Sequence, residues 1–165
     1  MAELTTLESK LAEVVGLAMA AQGATQKVKK LVEEEEPRLA QTLERMHEEA
    51  AETEERGTQV ADSFDGKKTA ILEKARETKR EATEMMETYL GSDADALDGF
   101  EFLTMAEAGE VGHVAILETL NHRARNAALG ELVEWVKPIQ ERHFRQSLDG
   151  SLQLAAGEDP NAPAE

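Results

Sequence analysis

Pairs of residues spaced three apart, each ending in a histidine, are the side chains of this chain best suited to chemistry. Glu110 and His113 form one pair, and Gln140 and His143 form another. A spacing of three places both members of a pair on one face of a helix. Because burying an unpaired carboxylate is costly, Glu110 on an apolar stripe needs a bound cation, an arginine or a network of neutral donors.

Another such pair lies earlier in the chain. Glu44 and His47, with Glu49 close by, flank the apolar stripe of their segment. In a chain rich in Glu such spacings also arise by chance, so a solvated face is the alternative interpretation. For the pairs in the carboxyl-terminal part, the alternative to a metal site is a satisfied hydrogen-bond network in the core.

Composition restricts the partners. The 165 residues suit one domain, and the absence of Cys leaves His and carboxylates as the only strong metal ligands. A net charge of -16 argues against binding to nucleic acid or to an anionic membrane surface. The first residues lack the basic start and apolar run of a signal peptide. We predict a cytoplasmic protein, although a salt-rich habitat is another explanation of the acidity.

The spacing of apolar residues predicts five helices and no strand of useful length. The predicted ranges are 3 to about 35, 37 to about 63, 67 to 90, 101 to 127 and 130 to 155. The stretch 91–99 is predicted to be a loop, and a turn is expected at Leu129-Gly130. Pro138 should kink the fifth helix.

These helices predict an all-α fold, an antiparallel four-helix bundle with an additional helix. The third helix is either part of the bundle or a crossover between two helical hairpins. Residues 1–156 would form a single domain, and the polar residues 157–165 a disordered acidic tail. Small residues in the first helix, and Gly109 and Gly112 in the fourth, indicate close helix approach or room for a bound group.

The pattern resembles the ferritin-like superfamily, and within it the small bacterial YciE-like stress proteins. The similarity is best in residues 100–148 and in PRLAQTLERMHEEAAET of the second helix. Ferritin-like proteins direct carboxylates and Glu-x-x-His pairs into the bundle to hold two metal ions. The ligands that the resemblance implies for iron or manganese are His47, Glu49, Glu110, His113, Glu141 and His143. Gln140 departs from the pattern, and Glu141 would replace it only if Pro138 rotates the helix.

These residues suggest two functions. The resemblance implies a metal-binding protein that acts in the stress response or in handling iron or peroxide. The alternative is a metal-free helical scaffold or protein-interaction module. Either hypothesis allows a homodimer through the third helix or the Trp135 region. The sequence contains no nucleophile elbow and no phosphate-binding loop, so it gives no indication of nucleophilic catalysis or of phosphate binding.

Overall fold

A computed structural model of the protein describes residues 2–163, and over that range the chain is helical without strands. The helices are α1 (Thr6–Val32), α2 (Pro37–Asp62), α3 (Lys68–Tyr89), α4 (Ala96–Ala124) and α5 (Ala127–Ala155). The predicted all-α bundle of about five helices is confirmed. Within the described range, no helix combines the length and the hydropathy that crossing a bilayer requires.

Four of the helices form a ring in which α1 and α5 each pack against both α2 and α4. α3 lies outside this ring and packs mainly along α1. The two run parallel, since Lys67 at the start of α3 donates a hydrogen bond to the Glu3 carbonyl. Further along, Gly16 of α1 lies against the backbone of Ala75. α3 therefore returns the chain from the end of α2 to the start of α4, the crossover position considered for it from the sequence.

The apolar core is divided into two clusters, one toward each end of the bundle. One cluster is built around Leu11, Val15, Ile71, Leu117 and Leu129. The other is built around Val28, Leu43, Met46, Phe100 and Leu103. Each such side chain, when fully buried, contributes roughly 1.5–3 kcal/mol to folding. The middle of the bundle lies between the two clusters, and polar side chains occupy it.

The start of α4 lies inside the stretch that the sequence predicted to be a loop. The Asp95 side chain accepts a hydrogen bond from the Asp98 N–H at 2.9 Å, and the Asp98 side chain accepts one from the Asp95 N–H at 3.1 Å. This reciprocal capping box starts the helix at Ala96. The prediction was wrong here because Gly99 was treated as a loop residue, whereas it lies against Val28 of α1.

The predicted turn at Leu129-Gly130 is also wrong, because α4 ends at Ala124 and the turn lies at Arg125 and Asn126. Arg125 adopts the left-handed conformation with φ of 56°, which closes α4. The Asn126 side chain then accepts a hydrogen bond from the Leu129 N–H at 3.0 Å and caps α5. Gly130 lies within the first turns of α5 and opposite the Asn121 side chain.

Two other expectations concern α5 and the carboxyl-terminal tail. Pro138 lies on the exposed side of α5, and the helix continues through it to Ala155. Residues 157–163 are exposed and form turns, including a hydrogen bond from the Ala162 N–H to the Asp159 carbonyl at 3.1 Å. Disorder of the tail stays a prediction, and residues 164–165 lie outside the described range.

Two glycines in the bundle should respond to alanine in opposite ways. A Cβ at Gly150 would overlap the ring of Phe100, whereas a Cβ at Gly112 would meet no atom within 4 Å. We expect Gly150→Ala to lower the free energy of unfolding by roughly 1–3 kcal/mol through overpacking. Gly112→Ala should raise it by up to about 1 kcal/mol through helix propensity. Urea denaturation measures both values, and shifts of the same sign would contradict the packing described.

Candidate functional site

A layer of buried polar side chains separates the two apolar clusters. Its members, on α2, α4 and α5, are Thr53, Glu107, Glu110, Gln140 and His143. Glu49 of α2 reaches into the same layer from a partly buried position. Because a buried charge without a partner is costly, the hydrogen bonds of this layer decide what it does. We call Glu49, Glu107, Gln140 and His143 the buried polar cluster.

His143 lies at the centre of the buried polar cluster, between two carboxylates. Its Nε2 is 2.8 Å from Oε2 of Glu49, and its Nδ1 is 3.7 Å from Oε2 of Glu107. Gln140, one turn earlier on α5, donates a hydrogen bond from Nε2 to the Glu107 carboxylate. A neutral amide and an imidazole thus compensate Glu107, which is only 1% exposed.

Glu49 is balanced by arginines as well as by His143. Nε of Arg45 lies 2.7 Å from one carboxylate oxygen, and Nη2 of Arg142 donates to the other. Burial alone would raise the pKa of Glu49, but hydrogen bonds from Arg45 and His143 and the nearby positive charges outweigh it. The pKa of Glu49 therefore lies below its usual value, and the ionised form is neutralised by the protein's own groups.

Glu110 differs from both of these carboxylates. Its side chain is about nine-tenths buried, and no donor in the described part of the chain is hydrogen-bonded to it. Burial, and to a lesser extent the charge of Glu107, raises the pKa of Glu110 well above its usual value. Glu110 lines a small interior space together with Val136 and Gln140, and it also lines a groove on the surface.

His113 does not join His143, although both were predicted as ligands. The Nδ1 atom of His113 lies 2.8 Å from the carbonyl oxygen of Gly109, one turn earlier on its own helix. Its Nε2 atom is 3.4 Å from Oε2 of Glu13 on α1. The imidazole is therefore half-buried between α1 and α4, near Glu110 but separate from the buried polar cluster.

His47 and Glu141, the other two predicted ligands, also lie apart from the buried polar cluster. Nδ1 of His47 is 3.0 Å from the carbonyl oxygen of Gln22, and Nε2 is 3.4 Å from Nε2 of Gln26. His47 thus bonds α2 to α1. Glu141 is exposed on the surface of α5, where its charge lies near Lys137.

The arrangement of the buried polar cluster does not fit a metal ion. Glu49 and Glu107 approach opposite edges of the His143 ring, so the three groups do not converge on one point. Within residues 2–163, no three His, Asp or Glu side chains are grouped so that they could hold an ion. The iron or manganese site stays a prediction that this geometry does not favour.

A groove of about 320 Å³ opens between α1, α3 and α4. The side chains that line it are mostly small or apolar: Ala20, Ala21 and Ala24 on α1, Met85 and Met86 on α3, and Phe102, Met105 and Ala106 on α4. Glu107, Glu110 and His113 line it as well. This volume is in the range of pockets that bind ligands. We call it the α1–α3–α4 groove.

Exposed methionines and a glycine show that the α1–α3–α4 groove is unfilled. Met85 is 69% exposed and Met105 is 52% exposed. Gly109 lines the groove, and a Cβ at this position would meet no atom within 4 Å. The sequence allowed two interpretations of Gly109, close helix approach or room for a bound group. The structure has open space beside Gly109 and no closely packed helix there.

Glu107 is the site residue that the sequence interpretation missed. The predicted buried stripe of α4 included Ala106 and His113, whereas the structure buries the next residue in each case, Glu107 and Val114. The buried stripe alternates spacings of three and four along Phe100, Leu103, Glu107, Glu110, Val114 and Leu117. This spacing was available in the sequence, because four of its six members are large apolar residues.

Comparison of the chain with protein-family models, with curated proteins and with solved structures finds no match. The likeness to ferritin-like proteins therefore rests on the spacing of residues in this chain alone.

The raised pKa of Glu110 makes a prediction about stability. A carboxyl group whose folded pKa exceeds its unfolded value of 4.5 destabilises the fold as pH rises above 4.5, until the folded pKa is passed. We expect Glu110→Gln to match the parent protein in stability below pH 4.5 and to be increasingly more stable above it. Urea denaturation from pH 4 to pH 8 measures the difference between the two proteins. A pH-independent difference would contradict the prediction.

Proposed function

We propose that this protein is a metal-free helical binding module that holds an apolar part of another molecule in the α1–α3–α4 groove. The observation that carries the proposal is the unfilled groove, with Met85 and Met105 exposed on its two rims. Exposed contiguous apolar surface on a folded protein marks interaction sites. Covering this surface would gain roughly 25 cal/mol for each Å² of apolar area removed from water.

The buried polar cluster supports this proposal as a frame for the groove. The hydrogen bond from Gln140 to Glu107 joins α5 to α4, and the contact between His143 and Glu49 joins α5 to α2. Arg142 adds a second bond from α5 to Glu49. These bonds fix α4, which forms one wall of the groove, so the groove keeps its shape before anything binds.

Binding of a neutral apolar dye tests the proposal. N-phenyl-1-naphthylamine carries no charge, so the acidity of the protein neither attracts nor repels it. We expect a saturable rise in its fluorescence, with one dye bound per chain. Gly109→Leu should weaken dye binding by at least about tenfold, because the leucine side chain fills the space that the dye needs.

Gly112→Leu is the matched control for this experiment. Gly112 lies one turn further along α4, a Cβ there also meets no atom within 4 Å, and it does not line the groove. The control should therefore bind the dye as the parent protein does. Equal loss of binding in both variants, or no saturable binding by the parent, would remove the proposed function.

The predicted metal site is the second candidate. The observation in its favour is that Glu49 and Glu107 both contact His143. A metal bound only to the folded state raises the unfolding temperature. If the protein is a metal-free module, iron(II) or manganese(II) added to chelator-treated protein should leave the unfolding temperature unchanged. Elemental analysis should then find no stoichiometric metal. A rise that Glu107→Gln abolishes and Glu141→Gln retains would establish the metal hypothesis instead.

A further inference from the structure

We infer that the α1–α3–α4 groove binds a basic amphipathic helix of a partner protein, with one Lys or Arg from the apolar face of that helix paired to Glu110. The inference deepens the proposed function and rests on it. Three features carry it: the unpaired carboxyl group in the groove, the charge of its surroundings, and the shape of its floor.

Glu110 is the first feature. It is about nine-tenths buried, lines the groove and has no hydrogen-bond partner among the described residues. Its carboxyl oxygens are not sealed from solvent, so a donor that enters the groove can reach them. An ammonium or guanidinium group arriving in the groove would supply the missing donor. That cationic group and the Glu110 carboxylate would form a charge-assisted hydrogen bond.

Charge is the second feature. The residues that line the groove include two carboxyl groups, Glu107 and Glu110, and the imidazole of His113, but no Lys or Arg. The chain as a whole carries a net charge of -16, which attracts a basic partner over long distances. A second copy of this chain would meet the opposite effect, because two strongly acidic molecules repel one another.

Shape is the third feature. The wall on α4 extends from Phe102 to His113, a length of about 16 Å at 1.5 Å per residue, which matches three turns of an added helix. The floor on α1 is formed by Leu17 and by Ala20, Ala21 and Ala24. The small side chains of the three alanines allow a helix backbone to approach closely there. Methionines on the rims adapt to the side chains of a helix that repeat every three or four residues.

Two model peptides that differ in the position of one lysine test this inference. Each has about 18 residues and forms an amphipathic helix with leucines on one face. One peptide places a lysine in the middle of its leucine face. The other places norleucine there and moves the lysine to the polar face, so that the net charges are equal. Binding is measured by isothermal titration calorimetry at physiological ionic strength, which weakens attraction between exposed charges.

We expect the peptide with the central lysine to bind the parent protein roughly 10- to 100-fold more tightly than the norleucine peptide, as for one desolvated charged hydrogen bond. Glu110→Gln should remove this preference. Glu141→Gln removes the same charge from an exposed position on α5 and should retain it. Gly109→Leu should weaken both peptides, because it fills the groove.

Other outcomes overturn the inference and locate the error. If the dye binds but neither peptide does, or if the two peptides bind equally, the groove takes another apolar ligand and the proposed function survives alone. Self-association of the parent protein in sedimentation that Gly109→Leu disrupts would make a second copy the occupant. If neither the dye nor either peptide binds, the proposed function fails together with the inference.

Discussion

The cost of placing carboxylates in the middle of a helical bundle is the constraint that shapes this structure. Glu107 is almost completely buried, and it is tolerated because the Gln140 amide and the His143 ring lie against it. Glu49 reaches the other edge of the same ring and is further balanced by two arginines. His143 and Gln140 of α5 thus join that helix to α2 and α4. The two ends of the bundle pack as apolar clusters.

The pairing of the buried carboxylates with the protein's own side chains also bears on whether the bundle holds a metal ion. A metal site requires ligand atoms that converge on one point, whereas here the carboxylates lie on opposite edges of a ring. The buried charges of Glu49 and Glu107 already have partners, so no further cation is needed to explain them. Glu110 has no such partner among the described residues, and it lies where the layer of polar side chains meets the unfilled α1–α3–α4 groove.

The position of α3 creates that surface. α3 packs along α1 outside the ring of four helices, so a channel remains between α3 and α4. Alanines of α1 line the floor of this channel. A helix fully inside the bundle would bury its methionines; instead Met85 remains exposed. The crossover helix thus connects the end of α2 to the start of α4, and it also forms one wall of the proposed binding site.

Hydrophobic spacing in the sequence determined the number of helices, their approximate bounds and the all-α class, because these depend on which residues recur on one face. Spacing also identified Glu110 and His143 as polar residues on buried stripes. Only the tertiary structure decided the partners of these residues, since a shift of one position on α4 exchanges Glu107 for Ala106 as the buried residue. The face of α4 that is buried depends on how α4 packs against α1 and α5, and the pairing of side chains across helices depends on that packing.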